Sequence, residues 1–420
     1  MADPSEPPSV PSVLAGSAVA LWARRELAAR WPSLVVLGLL LGLVGGVAIA
    51  ATAGARRTGT AYGRWQEATD APDAIVFGTQ LGLFDLDYGP VTELAEVADA
   101  GTFALAPIVV EEHPELGTLA PDDRLNRTLA RPLLNKGRLP DPDRDDEIVV
   151  NRAAASQLGL GLGDRVTILS SEGDLEAAFS GGPIDGPPRV VATVVGVGDS
   201  AMDLTFGGID EPGFTSGGGF FARHPEVPRA QNLVVRLEPG SDIEEFRVHA
   251  AAALGLPDIP VRDLGEDDKR VTNATDLERT SLLLFVGAVA LAGLVLVGQA
   301  LVRTVYGMAE AASALRAIGF TRREVVTGLV VVTAVPAFAT AAVSAVGLAF
   351  LLSDRFPVGL AGRFEVHQGR YADWGVLLPG AALLVLAALV STAAAAGWAT
   401  RTGRRSLVGA RPGLVQRLLA

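Results

Sequence analysis

The chain has 420 residues, 49% hydrophobic and 20% charged, with mean hydropathy +0.34 and net charge −12. This is too apolar for a disordered chain or an ordinary soluble enzyme, and too acidic for a nucleic-acid binder. The absence of cysteine excludes disulfides, thiolate metal sites, a cysteine nucleophile and a lipidated N-terminal cysteine.

Residues 1–32 lead into the first apolar run. Ser12–Trp31 carries an apolar stretch with Arg24, Arg25 and Arg30, which fits an interfacial helix on the inner membrane surface and equally a plain cytoplasmic lead-in. Residues 33–54 hold no charge. A helix needs about 20 such residues to cross the hydrocarbon core, and inside lipid a chain must pair its own backbone groups. This run therefore predicts transmembrane helix 1. The upstream arginines and Ala48, Ala50, Ala51 and Ala53 imitate a signal peptide, but the lead-in is long and the apolar run exceeds a signal core. The segment is read as an uncleaved anchor.

Residues 55–280 are read as one mixed α+β domain. Arg56–Thr280 holds 39 acidic and 20 basic residues, so the chain's acidity is concentrated there. Strands are predicted at Asp73–Gly78, Glu147–Asn151, Arg165–Leu169, Arg189–Val197 and Asn232–Leu237, where β-branched residues are bounded by Gly, Pro and Asp. Helices are predicted at Val91–Ala98, Arg152–Leu158 and Ile243–Leu254, the last with Ile243, Phe246, Ala250 and Leu254 at near-helical spacing. Gly207–Pro228 is rich in Gly and Pro and predicts a mobile loop. Gly159, Gly161 and Gly163 imitate a nucleotide loop, but a strand follows where a dinucleotide site requires a helix, so they predict a turn. Asp141–Glu147 (DPDRDDE) lacks calcium-loop spacing and is read as a solvated turn. Asp263–Glu278 is polar and is expected to lead as a helix into the next span.

Three more uncharged runs predict transmembrane helices at 281–302, 325–352 and 375–399. Glycines Gly42, Gly45 and Gly46 in the first span and Gly287, Gly293 and Gly298 in the second are candidate helix contacts, since small residues let helices approach closely. Pro336 is expected to kink the third span. Segment 303–324 holds Arg303, Arg316, Arg322 and Arg323, and the tail 400–420 holds five arginines and no acid. In the loop 353–374, by contrast, Arg355, Arg363 and Arg370 are balanced by Asp354, Glu365 and Asp373. The positive-inside rule then places both termini and segment 303–324 in the cytoplasm and the α+β domain outside. Arg56 and Arg57 count against this, but large domains translocate largely regardless of charge.

The sequence has no P-loop, no G-x-S-x-G and no H-E-x-x-H. His113, His224, His249 and His367 are spaced for no obvious metal site, and no ionisable side chain falls mid-span. The expectation is a chain with no catalytic residue, no metal and no cofactor of its own.

One span, a large domain, then three spans is a layout similar to that of the FtsX-like/MacB-like permease family of ABC transporters, actinobacterial type. Local sequence carries the resemblance further. Ala53–Thr58 (AGARRT) follows span one; Gly137–Pro140 (GRLP), Asp146–Asn151 (DEIVVN) and Leu158–Val166 (LGLGLGDRV) follow the family's pattern in the outer domain; Leu315–Arg323 (LRAIGFTRR) resembles its cytoplasmic element. The resemblance implies an α-helical membrane protein with four transmembrane helices and a large extracytoplasmic α+β domain between helices 1 and 2, in the plasma membrane. It implies a permease subunit that transmits motion from a separate cytoplasmic ATPase, which would hold ATP and magnesium, to the outer domain.

Under this reading the ATPase-coupling segment comprises Glu310, Leu315, Arg316, Ala317, Gly319, Arg322 and Arg323. Ala309–Ala317 is a strong helix former, Gly319 can turn the chain, and the arginines offer donors to a partner. Where the family often has an acid four residues before the arginine–alanine step, this chain offers Ala311 or Glu310. Relatives of the actinobacterial type often continue into a second set of spans. A second permease half, a homodimer copy and a truncated product therefore all stand open. Expected cargo is lipid-like, peptide or antibiotic. The alternatives are mechanotransmission that regulates cell-wall hydrolases without transport, and a membrane-anchored sensor or adhesion module with no ATPase partner.

Overall fold

Four long helices carry the apolar excess: α1 (Ser12–Thr69), α2 (Gly265–Tyr306), α3 (Arg322–Leu352) and α4 (Trp374–Thr402). Each is long and apolar enough to cross a membrane. The computed structural model describes residues 12–83, 86–110, 113–120, 124–169, 189–205, 208–224, 231–306, 317, 319, 321–367 and 369–402. The chain divides into a long-helix unit (1–59, 276–363, 367–420) and an α+β unit (60–275 with 364–366).

The helices reach past the apolar runs that predict them. Residues 12–31 are continuous with α1. Helix α1 also runs on to Thr69, past the expected boundary at residue 54. The polar lead-in to the second span is helical from Gly265, and Glu266, Asp267 and Asp268 in its first turn suit the positive end of the helix dipole. A capping box opens α3: Thr321 Oγ1 accepts from the Glu324 backbone N–H at 3.3 Å, and Glu324 Oε2 accepts from the Thr321 backbone N–H at 2.9 Å. Pro336 lies inside α3, which is assigned as one helix through it.

The α+β unit is built on ten strands: β1 (Ala74–Val76), β2 (Val97–Val110), β3 (His113–Leu119), β4 (Leu133–Gly137), β5 (Glu147–Val150), β6 (Arg165–Leu169), β7 (Arg189–Asp199), β8 (Phe214–Ser216), β9 (Gln231–Leu237) and β10 (Val261–Asp263). Strand β2 is the spine. Its first half pairs with β9, and the sheet continues through β1 to β10. Its second half pairs with β3 and β6, and the path β2–β3–β8–β5–β7–β6 returns to β2 as a closed ring. The ring encloses Ile108, Ile148, Val150, Ile168, Ala192 and Phe214 among others. On the open part, helix Ile243–Leu254 lays Phe246 and Ala250 against Val76, Leu233 and Val235. That helix has the predicted bounds because Asp242 caps its first N–H groups and Gly255, at φ +64°, ends it.

Two expectations fail here. Val91–Ala98 is not a helix. Gly89–Thr92 makes a single turn, and from Val97 the backbone pairs with β9 instead; this long-range pairing outweighs the local helical pattern. Of Gly207–Pro228, residues 208–224 are described, and they are not simply a mobile loop. Its three phenylalanines, Phe214, Phe220 and Phe221, are all at most 2% exposed, and Phe214–Ser216 is β8, which joins β3 to β5 and closes the ring.

The motifs of the α+β unit have structural explanations. Gly137 sits at φ +77°, and a Cβ there would collide with the Val195 carbonyl oxygen. Arg138 Nη1 and Nη2 donate to the Glu147 carboxylate at 2.6 and 2.5 Å, and the Asp141 N–H donates to it at 2.9 Å. The Arg138 contact leads in holding the Glu147 carboxyl below the usual range. Asp145 meets His224 at 3.0 Å, and Asp146 meets Arg144 at 2.6 Å. Asp145, Asp146 and Glu147 of the DPDRDDE run are therefore held by side chains of the protein rather than being merely solvated. Gly159 and Gly163 have positive φ and turn the chain into β6, as expected.

At the other edge of this unit, Gln66 Nε2 donates to Asp268 Oδ2 at 2.7 Å and Tyr62 also donates to Asp268. Tyr62 and Trp65 enclose Phe364, with ring centroids 4.9 and 5.1 Å away. Arg64 pairs with Glu365 at 3.1 Å.

Asp203 generates a test. Its carboxylate accepts from the Ser200 N–H at 2.6 Å and lies 3.3 Å from Asn151 Nδ2. Desolvation, aided by the nearby Asp199 charge, pushes it up to about 7. The folded chain thus holds a proton that the unfolded chain has already released above the ordinary carboxylate range. This contribution to stability is complete below that range and is lost as pH rises through about 7. Asp203→Asn should raise the unfolding temperature at pH 8 and flatten its dependence between pH 5 and 8. Thermal unfolding across that range checks this.

Candidate functional site in the long-helix unit

A seam of small residues joins α1 to α3. Gly38, Gly42 and Gly46 recur every fourth position of α1 and so lie on one helix face. A Cβ on Gly38 would collide with the Ala337 carbonyl oxygen, one on Gly42 with Ser344, and one on Gly46 would come 3.0 Å from the Ala345 carbonyl oxygen. Ala337, Ala341 and Ala345 answer them at the same spacing on α3 and are at most 1% exposed. Such close backbone approach gains dispersion contact without requiring a large apolar side chain. The Ser344 hydroxyl at this seam donates to the Thr340 carbonyl of its own helix at 2.6 Å.

Helix α4 docks through other glycines. Gly45 faces Leu384, and Gly380 faces Ile49. Helix α2 is joined less tightly. Over its most apolar stretch only 6% of it is buried, against 56% for α1. Gly293 meets Val44, but nothing lies within 4 Å of a Cβ built on Gly287 or Gly298. Of the six candidate glycines, Gly42, Gly45, Gly46 and Gly293 are thus at close contacts and the other two are not. Gly38 was missed, although its fourfold spacing from Gly42 was available. Between α1, α2 and α4 lies a cleft of about 560 Å³.

The segment between α3 and α4 is tied down by polar contacts. The Arg57 guanidinium donates to the carbonyls of Ser353 (3.1 Å), His367 (2.5 Å) and Gly369 (3.3 Å), and lies 5.9 Å from the Tyr371 ring centroid. Arg56 pairs with Asp373 at 3.3 Å. Glu278 of α2 accepts from the N–H groups of Leu360 (2.6 Å) and Ala361 (3.2 Å). Gly359, at φ +62°, leaves room for that carboxylate. These contacts explain Arg56 and Arg57 better than topology does. Sequence reading missed them because the partners, the Asp373 carboxylate for Arg56 and three backbone carbonyls for Arg57, lie hundreds of positions away.

Of the expected coupling segment, Glu310, Leu315 and Arg316 lie outside the described residues. Ala317 is helical and exposed, and Gly319 is an exposed turn at φ +102°. Arg322 opens α3, and Arg323, in its first turn, is exposed. Among the described residues no group of three or more His, Asp or Glu side chains could hold a metal ion.

No family model matches the chain, and no curated protein matches it. Among solved structures, the periplasmic region of MacB from Actinobacillus actinomycetemcomitans is similar at 11% identity, covering 48% of this chain and 93% of that one, with a TM-score of 0.31. The extracellular domain of the noncanonic ABC-type transporter YknZ from Gram-positive bacteria is similar at 13% identity, covering 40% and 80%, with a TM-score of 0.26.

The seam is testable. Gly42→Leu should destabilise the chain by about 1–3 kcal/mol or more through overpacking, whereas Gly287→Leu, where a side chain meets open space, should leave it nearly unchanged. Thermal unfolding in mild detergent compares the two. Glu278→Ala should cost about 1–3 kcal/mol through loss of the acceptor for the Leu360 and Ala361 N–H groups; the same measurement, with proteolysis of segment 353–373, reads it.

Proposed function

We propose that the chain is the non-catalytic permease subunit of an ABC transporter complex, passing ATP-driven motion from a separate cytoplasmic ATPase to the α+β unit. The observation that carries this reading is the order of elements. One membrane-length helix precedes a ten-stranded α+β unit, and three more such helices follow it. The resemblance of the GRLP, DEIVVN and LRAIGFTRR stretches to the FtsX-like/MacB-like family supports the same reading.

The segment between α2 and α3 is the part that meets the ATPase. The exposed Ala317, the exposed turn at Gly319 and the capped start of α3 are in keeping with a segment offered to a partner. Arginines at 316, 322 and 323 would donate to carboxylates or carbonyls on that partner. Exported lipid-like, peptide or antibiotic molecules are the proposed cargo. Both termini lie in the cytoplasm, and the α+β unit lies outside the plasma membrane.

The test is capture of the intact chain in mild detergent with its neighbouring gene products. An ATPase should co-purify, and its hydrolysis should be stimulated by the chain. Gly319→Pro and Arg316→Glu should abolish the stimulation while the protein still fractionates with membranes. Unchanged stimulation in both variants would remove the coupling role from this segment. Absence of any ATPase partner would favour a sensor or adhesion module.

A further inference from the structure

The close contacts between the long helices set which residues share a level. Gly45 of α1 meets Leu384 of α4, and Gly380 of α4 meets Ile49, so α4 runs against α1 in step. Helix α2 also runs against it, with Gly293 at Val44 and Gly59 at Arg279. Helix α3 runs with it, since Gly38, Gly42 and Gly46 meet Ala337, Ala341 and Ala345 in that order. Carried along the helices, these pairings put Leu43, Leu294, Val343 and Leu386 close to one level, and all four side chains are more than half exposed.

The same pairings gather a layer of charge at one end. Arg56 pairs with Asp373, Arg279 lies at Gly59, and Arg57 reaches the Ser353 carbonyl beside Asp354. From that layer no charged residue occurs along the four helices until Arg303, Arg30, Glu324 and Arg401 at the other end. Aromatic residues stand beside both layers. Trp31 follows Arg30, and Tyr371 and Trp374 flank Asp373; all three are more than half exposed. The positions level with Trp31 on α2 and α4 are 306 and 398, which are Tyr and Trp in the sequence. Ala55 is the α1 position level with Trp374, and it follows Trp31 by about 24 residues, or about 36 Å of helix axis. A hydrocarbon core is about 30 Å thick, and about 40–45 Å with its headgroup regions. That spacing therefore reaches from one boundary layer to the other. There an indole or phenol keeps its ring in apolar surroundings and its N–H or O–H in water.

We infer that the long-helix unit sits in a lipid bilayer with Trp31 at one interface, Tyr371 and Trp374 at the other, and Leu43, Leu294, Val343 and Leu386 at the midplane. The inference rests on the membrane reading of the four helices and adds the depth of each residue; it needs no ATPase partner. A second copy of the chain would cover one side of the unit. The exposed residues at the shared level come from all four helices, as a surrounding apolar solvent requires.

Nitroxide labels on single cysteines of the full chain in phosphatidylcholine nanodiscs test it, with oxygen and a water-soluble nickel chelate as relaxants. Leu43→Cys, Leu294→Cys, Val343→Cys and Leu386→Cys should all report the greatest depth. Val36→Cys and Leu378→Cys, at positions that are also more than half exposed, should lie about 10 Å shallower. The fluorescence lost in Trp31→Phe, and that lost in Trp374→Phe, should be quenched more by phosphatidylcholine brominated high on its acyl chains than by lipid brominated near the chain ends. Stronger quenching from the chain ends would overturn the register. So would labels that meet oxygen but are deepest elsewhere, or that lie at different depths on the four helices; either result leaves the membrane reading standing. Labels at all four positions that meet the nickel chelate would overturn both. Labels shielded from both relaxants would overturn the inference in favour of a second copy of the chain packed on these faces.

Discussion

The arrangement of the long-helix unit depends on how closely the backbones of α1 and α3 approach. Gly38, Gly42 and Gly46 on one side and Ala337, Ala341 and Ala345 on the other leave no room for a larger side chain. Were the helices set in lipid, where apolar side chains gain little by leaving one apolar surroundings for another, this dispersion contact would be what remains to hold them together. Helix α4 joins the same pair through Gly45 and Gly380, whereas α2 stands apart over most of its apolar length. The cleft is a consequence of that inequality.

Polar groups add contacts outside the apolar stretches. Glu278 reaches across to the start of the short helical segment at Gly359, and Arg57 collects three carbonyls from the same connecting loop. Residues Phe364–Val366 of that loop are counted with the α+β unit, where Phe364 fills the space between Tyr62 and Trp65.

Much of this was legible in the sequence, because long uncharged runs and capped amphipathic helices are local signals. The four long helices and helix Ile243–Leu254 follow from composition and spacing alone. What was not legible depends on distant partners. Strand β2 contains Asp99, Gly101 and Pro107, which disguise it locally, and it is a strand because β9, β3 and β6 pair with it. Strand β8 is three residues in a glycine-rich stretch and is fixed by β3 and β5. Within the candidate site, four of six glycines were legible as contact positions, but the carbonyl clamp on Arg57 leaves no trace in the pattern of residue types.

These features bear on function only if the chain crosses the membrane four times with the segment before α3 on the ATPase side. The sequence has no cysteine, so a single introduced cysteine is the one thiol of these 420 residues that a maleimide can label. Val248, 65% exposed on the α+β unit, and the exposed Ala317 are suitable positions. A membrane-impermeant maleimide should label Val248→Cys in intact cells and Ala317→Cys only after permeabilisation; labelling of Ala317→Cys from outside would contradict the account.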